Sequence, residues 1–152
     1  MTAILVALHA LAAVIWVGGM FFAYNVQRPA AGALDAPVRL GLWGRTFARF
    51  FQWVWGAVAV LLATGFWMIF GTFGGFAGVG PHVHLMMAVG IVMMLLYAHL
   101  WFAPYARFRA ALAAGDFPTA GQNLEKIRQI VGTNLILGLI TVAIGASGRF
   151  WG

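Results

Sequence analysis

The chain has 152 residues, of which 63% are hydrophobic and only 8% are charged, whereas about a quarter of the residues of a soluble domain are charged. The formal net charge of +6 comes from Lys and Arg residues that lie between apolar runs, not on one face of a soluble module, which argues against a nucleic-acid-binding domain. The absence of cysteine excludes disulfides, thiolate metal sites and thiol catalysis.

Four apolar segments follow one another along the chain, and each is long enough to cross a bilayer core of about 30 Å. We predict spans at about 3–25, 50–73, 82–102 and 130–146. With their connections these spans use the whole sequence, so we predict an all-α, integral membrane four-helix bundle that forms a single domain over 1–152. The first segment lacks a basic n-region and exceeds the length of a signal-peptide core, so we expect a retained helix.

Proline and glycine mark the ends and faces of the predicted spans. Pro81 suits the first turn of the third helix, where its missing N–H has no cost, and Pro104 suits the exit from it. Gly132, Gly138 and Gly145 in the fourth span would let a neighbouring helix approach closely.

The basic residues predict the orientation of the bundle. They concentrate in the first and third connections, whereas the connection at 73–82 has no charge. By the positive-inside rule both basic connections face the cytoplasm and both termini face outward, as expected of a multi-pass protein of a bacterial-type inner (plasma) membrane. The residues concerned are Arg28, Arg39, Arg45 and Arg49 in the first connection and Arg107, Arg109, Lys126 and Arg128 in the third; Arg149 is an exception.

The two basic connections have different compositions. In 40–50, apolar and basic residues alternate at helical spacing, which suits either a helix in the headgroup layer or an extension of the second span. The stretch 108–129 is polar enough to predict a solvated connection. Aromatic residues near the inner boundary predict an interfacial belt; they are Tyr24, Trp43, Trp53, Trp55, Tyr97 and Trp101.

Histidines are the main candidates for chemistry. His9, His84 and His99 fall within or at the edge of spans, and His82 lies at the membrane boundary. Ionisable groups in hydrocarbon are costly and mark functional sites by default. The competing interpretation is a structural histidine that bonds a helix carbonyl.

Depth along the helices sorts these histidines. With a rise of about 1.5 Å per residue, His9 lies roughly 9 Å below the outer surface and His84 at that surface, so the two can share a layer. His99 lies about 22 Å from His84, too far to bind the same ion. We therefore predict an outer site that pairs His9 with His84 or His82. Sliding the helices by about 13 Å would instead bring His9 to His99.

For His99 itself, the sequence leaves two roles open. It would serve a second, inner site, or it would bond to Asn134 or Tyr24 at similar depth. An asparagine in a membrane helix also stabilises helix pairs without any further function.

Imidazoles on facing bundle helices are the usual way to hold a b-type haem and its iron, and Ala12 and Ala13 beside His9 would leave space for a macrocycle. A cytochrome b-like electron-transfer role would need a quinone or a redox protein as partner, in addition to the surrounding lipid bilayer. The sequence leaves open whether the chain forms a homo-oligomer. Copper is the alternative metal, because Met86 and Met87 could add thioether ligands to the imidazoles.

Several segments carry a family resemblance. The run Leu8-His9-Ala10-Leu11-Ala12-Ala13-Val14-Ile15-Trp16-Val17-Gly18-Gly19-Met20-Phe21-Phe22 resembles the opening helix of the copper-resistance protein D (CopD-like) family and of the related HemJ-type protoporphyrinogen oxidases. His82-Val83-His84 and Tyr97-Ala98-His99 are similar to the HemJ-type arrangement, and the segment 126–138 is similar to the copper-resistance group.

The resemblance implies a four-helix membrane bundle that binds haem b through His9 and a histidine of the third helix. It also keeps two alternatives open, a copper-handling permease and a porphyrinogen-oxidising enzyme, so a membrane oxidoreductase is one of the expected activities. Where the HemJ-type pattern has lysine two residues after its entry histidine, this chain has His84.

Overall fold

The computed structural model describes residues 1–151, apart from the side chain of Arg149. Its four long helices are α1 (Thr2–Ala31), α2 (Ala36–Thr72), α3 (Pro81–Ala113) and α4 (Phe117–Ser147), and each is long and apolar enough to cross a membrane. Short 3₁₀ turns occupy Phe76–Gly78 and Gly148–Phe150. The prediction of an all-α, four-span membrane protein is therefore confirmed.

The helix starts follow from local sequence. Pro37, Pro81 and Pro118 lie in the first turns of α2, α3 and α4, where proline removes an N–H that has no helical partner. The carboxylate of Asp116 caps α4 by accepting a hydrogen bond from the backbone N–H of Thr119 at 3.1 Å. Hydrogen bonding from Thr119 holds the pKa of Asp116 below its ordinary value.

The basic segment 40–50 is the beginning of α2, so the extension hypothesis holds and a separate headgroup helix is not formed. Leu40, Trp43 and Phe47 on one face of this segment are each 3% exposed. They belong to the same buried cluster as residues from the ends of α3 and α4, and this packing keeps the segment in line with the rest of α2.

Helix α3 continues beyond Pro104, where the sequence predicts the exit of the third span. A π turn at Trp101–Tyr105 contains this proline, and such a turn admits a residue that cannot donate an N–H. The stretch 108–129, predicted as a solvated connection, is largely helical, because only residues 114–116 separate α3 from α4. Phe108 and Ile127 are fully buried where the two helices pack together.

The helices are arranged so that α1 packs on α2 and α4, and α3 packs on α4. Close approach at glycines of α4 is confirmed. A Cβ at Gly132 would lie 3.0 Å from the ring of Tyr24, one at Gly138 would lie 2.8 Å from Val17, and one at Gly145 would lie 3.0 Å from the methyl group of Met86.

We call the end that holds the α1–α2 and α3–α4 connections the basic end, and the opposite end, with both termini and the α2–α3 connection, the terminal end. Stacked rings fill the interior toward the basic end. Phe47 and Phe51 stack with centroids 4.9 Å apart, and Tyr105 meets Phe51 edge-on at 4.8 Å. Trp43 and Tyr97 are buried in this core, so they do not form the interfacial belt expected of them, whereas Trp53 is 66% exposed.

Candidate functional site

The interior of the terminal end contains a cavity of about 530 Å³, which we call the terminal cavity. Residues from all four helices line it, including His9 of α1, Gly65 of α2, Met86 of α3 and Thr141 of α4. Its volume lies within the range of about 300–1,000 Å³ that is usual for small-molecule sites. The four helices therefore leave enough space between them for a ligand.

The lining of the terminal cavity is largely apolar. Of the described residues that line it, none is Asp, Glu, Lys or Arg. Many are small, which explains why the helices leave a space here; they include Ala10, Ala13, Gly65, Gly90, Gly138, Gly145 and Ala146. Five methionines add thioether sulfur to this surface, namely Met68, Met86, Met87, Met93 and Met94.

The neighbours of His9 determine which of its ring nitrogens carries the proton when the ring is neutral. Its Nδ1 lies 2.8 Å from Oγ1 of Thr64, and that hydroxyl lies 2.6 Å from the carbonyl oxygen of Val60. A threonine hydroxyl has a single proton, and the carbonyl can only accept. Thr64 therefore donates to Val60, and Nδ1–H of neutral His9 donates to Thr64.

This arrangement leaves Nε2 of His9 with an unprotonated lone pair. Metal-binding histidines are commonly oriented in this way, with one ring nitrogen donating to a fixed acceptor while the other binds the metal. A Cβ at Gly65 would lie 3.4 Å from Cε1 of His9, at van der Waals contact distance, so the ring packs over this glycine. Thr64 and Gly65 thus support the imidazole from α2.

The other three histidines lie in different surroundings. His82 lines the terminal cavity, and its ring is 6.3 Å from that of Trp151. His84 is exposed, with its ring 6.2 Å from that of Phe76, and His99 is also exposed. Neither His84 nor His99 is among the residues that line the cavity. Of the two pairings expected for His9 in the outer layer, the cavity contains the one with His82.

Asn134 does not bond to His99 or Tyr24. Its Nδ2 donates instead to the carbonyl oxygen of Met93 at 3.1 Å, which joins α4 to α3, and its Oδ1 is buried without a partner. The helix-stabilising role of this residue is therefore the one that the hydrogen bond supports.

Among the described residues, no three His, Cys, Asp or Glu side chains come together as a metal-binding group. The terminal cavity offers a different donor set, with imidazole from His9 and His82 and thioether sulfur from methionine. Such soft and neutral donors suit Cu(I), and imidazole also suits haem iron.

Sequence reasoning missed several residues at this site. Thr64 was overlooked, although a lone hydroxyl in an otherwise apolar run was a usable signal. Met68, Met93 and Met94 were not singled out because methionine is common packing material in apolar chains. Only the positions of the neighbouring helices reveal that these side chains border one cavity.

A comparison with protein families gives one match. Residues 44–147, about two thirds of the chain, match the family described as copper resistance protein D. No curated protein and no solved structure matches the chain. The matched region contains Thr64, His82 and the cavity methionines, whereas His9 precedes it.

Proposed function

The chain belongs to the copper resistance protein D family, and we propose that it handles copper by binding Cu(I) in the terminal cavity. The observation that carries this proposal is the hydrogen-bonded pair of His9 and Thr64, which directs Nδ1 to α2 and leaves Nε2 as the available ring nitrogen in a cavity that five methionines also line. Imidazole and thioether are ligands that Cu(I) prefers.

The charge of the cavity supports a monovalent ion as cargo. An ion in a low-dielectric site is penalised by its lost hydration, and the penalty rises steeply with its charge. Since none of the described residues that line the cavity is Asp or Glu, which could balance a divalent ion, Cu(I) would be tolerated better than Cu(II) or Zn(II). The neutral donors therefore suit the reduced form of copper.

We assign the residues distinct roles. His9 provides the imidazole ligand, and Thr64 positions it through the hydrogen bond at 2.8 Å. Met86 and Met87 are the candidate thioether ligands on α3, and His82 is the candidate second imidazole. His84 and His99 lie outside the cavity lining and receive no ligand role in this proposal.

We further propose that the terminal end faces outward, in the inner membrane of a bacterial-type cell. The basic residues at the opposite end support this orientation through the positive-inside rule, and the cavity would then be loaded from the outer side. A reporter that is active only in the cytoplasm, fused after Gly152, should give little signal; full signal would contradict the orientation.

Titration of the purified protein with Cu(I), against a competing chelator, tests the copper site. We expect His9→Ala to weaken Cu(I) binding by at least about tenfold, and Thr64→Val by about tenfold, since loss of a ligand's hydrogen-bond partner typically costs 10–100-fold in metal affinity. His99→Ala is the matched control and should bind like the parent protein. Unchanged affinity in folded His9→Ala would overturn the proposal.

A b-type haem with an electron-transfer role is the second candidate function, and the size of the cavity favours it. A volume of about 530 Å³ exceeds what one metal ion needs, and the small, apolar lining suits a flat macrocycle. His9 and His82 fit the group as imidazole donors from two helices. Haem would supply one-electron chemistry when bound, with a quinone or redox protein as partner.

Absorption spectroscopy of the protein purified from membranes separates the two candidates. Haem would give a Soret band that His9→Ala removes or shifts, whereas a copper protein would lack that band and contain copper by elemental analysis. A Soret band unchanged in both His9→Ala and His82→Ala would contradict the haem assignment. Porphyrinogen oxidation, as in HemJ-type enzymes, would additionally require turnover of that substrate.

A further inference from the structure

The basic end carries a second pocket, of about 560 Å³, which is separate from the terminal cavity and has opposite chemistry. It lies between the end of α1, the beginning of α2 and the middle of α4. Three arginines contribute to its wall. The lining residues are Tyr24, Asn25, Arg28, Pro29, Gly32, Arg39 and Arg128. We call it the arginine pocket.

A local distortion of α1 builds one wall of the arginine pocket. The helix contains a π turn at Ala23–Gln27, and isolated π turns in helices are frequent at functional sites. Tyr24 lies in this turn, and its ring packs against Gly132 of α4. The guanidinium of Arg28 lies over the same ring at 4.9 Å. Stacking on the ring leaves the N–H groups at the edge of the guanidinium available to a ligand.

The hydrogen-bonding capacity of the arginines is only partly used. Arg39 donates from Nη1 to the carbonyl oxygen of Leu34 at 3.2 Å. Arg128 donates from Nη1 to the carboxylate of Glu125, also at 3.2 Å, but its Nε is buried without a partner. Each guanidinium has five N–H donors. Among the described residues, the one ion pair made by these three guanidinium groups is that of Arg128 with Glu125, and the Nε of Arg128 remains an unsatisfied buried donor.

We propose that the arginine pocket binds a phosphate group. Guanidinium matches phosphate oxygens through paired hydrogen bonds, and basic pockets between membrane helices are typical sites for anionic headgroups. The phosphate would belong either to an anionic glycerophospholipid of the adjacent leaflet or to a soluble phosphate ester. Bound there, it would satisfy the free Nε of Arg128 and balance the excess positive charge.

The surroundings of the pocket favour the lipid as the source. Val26 and Val38, which lie close in sequence to the lining residues Arg28 and Arg39, are 47% and 55% exposed. Such exposed apolar side chains suit contact with acyl chains, whereas the arginines lie at the ends of the apolar spans, at headgroup depth. A bound lipid would therefore place its phosphate beside the arginines and its acyl chains beside the exposed valines.

Native mass spectrometry of the full chain in detergent, with added phosphatidylglycerol or phosphatidylcholine, tests the proposal. The variant R28Q/R39Q/R128Q removes the pocket charges. The matched control R45Q/R49Q/K126Q removes three exposed charges near the same end that do not line the pocket. We expect phosphatidylglycerol to bind about a hundredfold more weakly to the pocket variant, at about fivefold for each arginine, and the control to match the parent protein.

The folding of the variants is checked by circular dichroism and gel filtration, and R128Q alone provides a milder change. We expect R128Q to weaken phosphatidylglycerol binding by about fivefold. Equal binding by the parent protein and folded R128Q, or equal losses in the pocket and control triple variants, would overturn the proposal. Equal binding of phosphatidylcholine by the parent protein would also overturn the assignment of an anionic headgroup.

Competition identifies the source of the phosphate. Glycerol phosphate at millimolar concentration should not displace phosphatidylglycerol if the acyl chains contribute to binding. Displacement by glycerol phosphate that depends on the three arginines would support the phosphate site and assign it to a soluble ester. The copper proposal does not enter these measurements, because none of the substituted residues lines the terminal cavity.

Discussion

Toward the basic end, stacked and edge-on rings such as Phe47, Phe51 and Tyr105 fill the space between the helices, whereas toward the terminal end the same four helices enclose a cavity of about 530 Å³. Side-chain volume contributes to the difference, because glycine, alanine and methionine make up much of the cavity wall, in which Trp16, Phe66 and Phe73 are the aromatic members, whereas many rings contact one another in the core toward the basic end. Close packing of rings in the filled half leaves little room for the helices to move, whereas the hollow half has space for a ligand.

The largest expected effect on stability comes from removing an aromatic ring from the filled half. Phe51 is 1% exposed and contacts several rings, so Phe51→Ala should lower the free energy of unfolding by about 3–5 kcal/mol. Met87→Ala, at the wall of the terminal cavity, should cost much less because this side chain already borders empty space. Denaturant unfolding in detergent measures both variants. Equal losses would show that the two halves are packed alike.

Replacement by alanine should change the stability in opposite directions at a glycine with open space around it and at a glycine that is closely packed. A Cβ at Gly90 meets nothing within 4 Å, whereas one at Gly138 would lie 2.8 Å from Val17. Gly138→Ala should therefore destabilise the protein by about 1–3 kcal/mol. Gly90→Ala should stabilise it by about 0.5–1 kcal/mol, because alanine loses less backbone freedom in a helix. Thermal unfolding compares them, and stabilisation by Gly138→Ala would contradict the close packing of α1 on α4.

A buried hydroxyl ties α3 to α2 where the filled half meets the hollow half. The hydroxyl of Tyr97 donates to the carbonyl oxygen of Phe51 at 2.7 Å. Tyr97→Phe keeps the ring and removes this bond, so we expect a loss of about 1 kcal/mol. Tyr24→Phe is the comparison variant, because it removes a tyrosine hydroxyl but keeps the ring that contacts Arg28. A loss in Tyr97→Phe no greater than in Tyr24→Phe would show that the hydrogen bond is unimportant.

The smallest expected effect concerns the cap of α4 at the basic end. Because hydrogen bonding from Thr119 lowers the pKa of Asp116 in the folded state, the cap stabilises the protein above the ordinary pKa of aspartate, about 3.9. The stabilisation is lost as the pH falls through the lowered pKa. Asp116→Ala should thus melt slightly below the parent protein at pH 7, with the difference vanishing in strong acid. A difference that grows toward acid would have the wrong sign for this cap.

The sequence alone predicted only part of the candidate site. His9 stood out because an ionisable residue inside an apolar span is rare, and its depth followed from helical rise. Its partner Thr64 did not, since 55 residues separate the two in the chain. Which histidine of α3 shares the cavity with His9 depends on the rotation of that helix, which the sequence does not give. His82 lines the cavity and His84 does not.

Hydropathy by itself determined the four spans, because each must cover the bilayer core with apolar residues, and the small side chains of α4 determined where helices approach closely. Tertiary structure alone decided the continuation of α3 past Pro104, the filling of one half with rings, and the convergence of Arg28, Arg39 and Arg128 on one pocket. The physical reason is that hydropathy is a property of each residue separately. Cavities and side-chain pairs instead depend on how helices that are distant in sequence are tilted and rotated against one another.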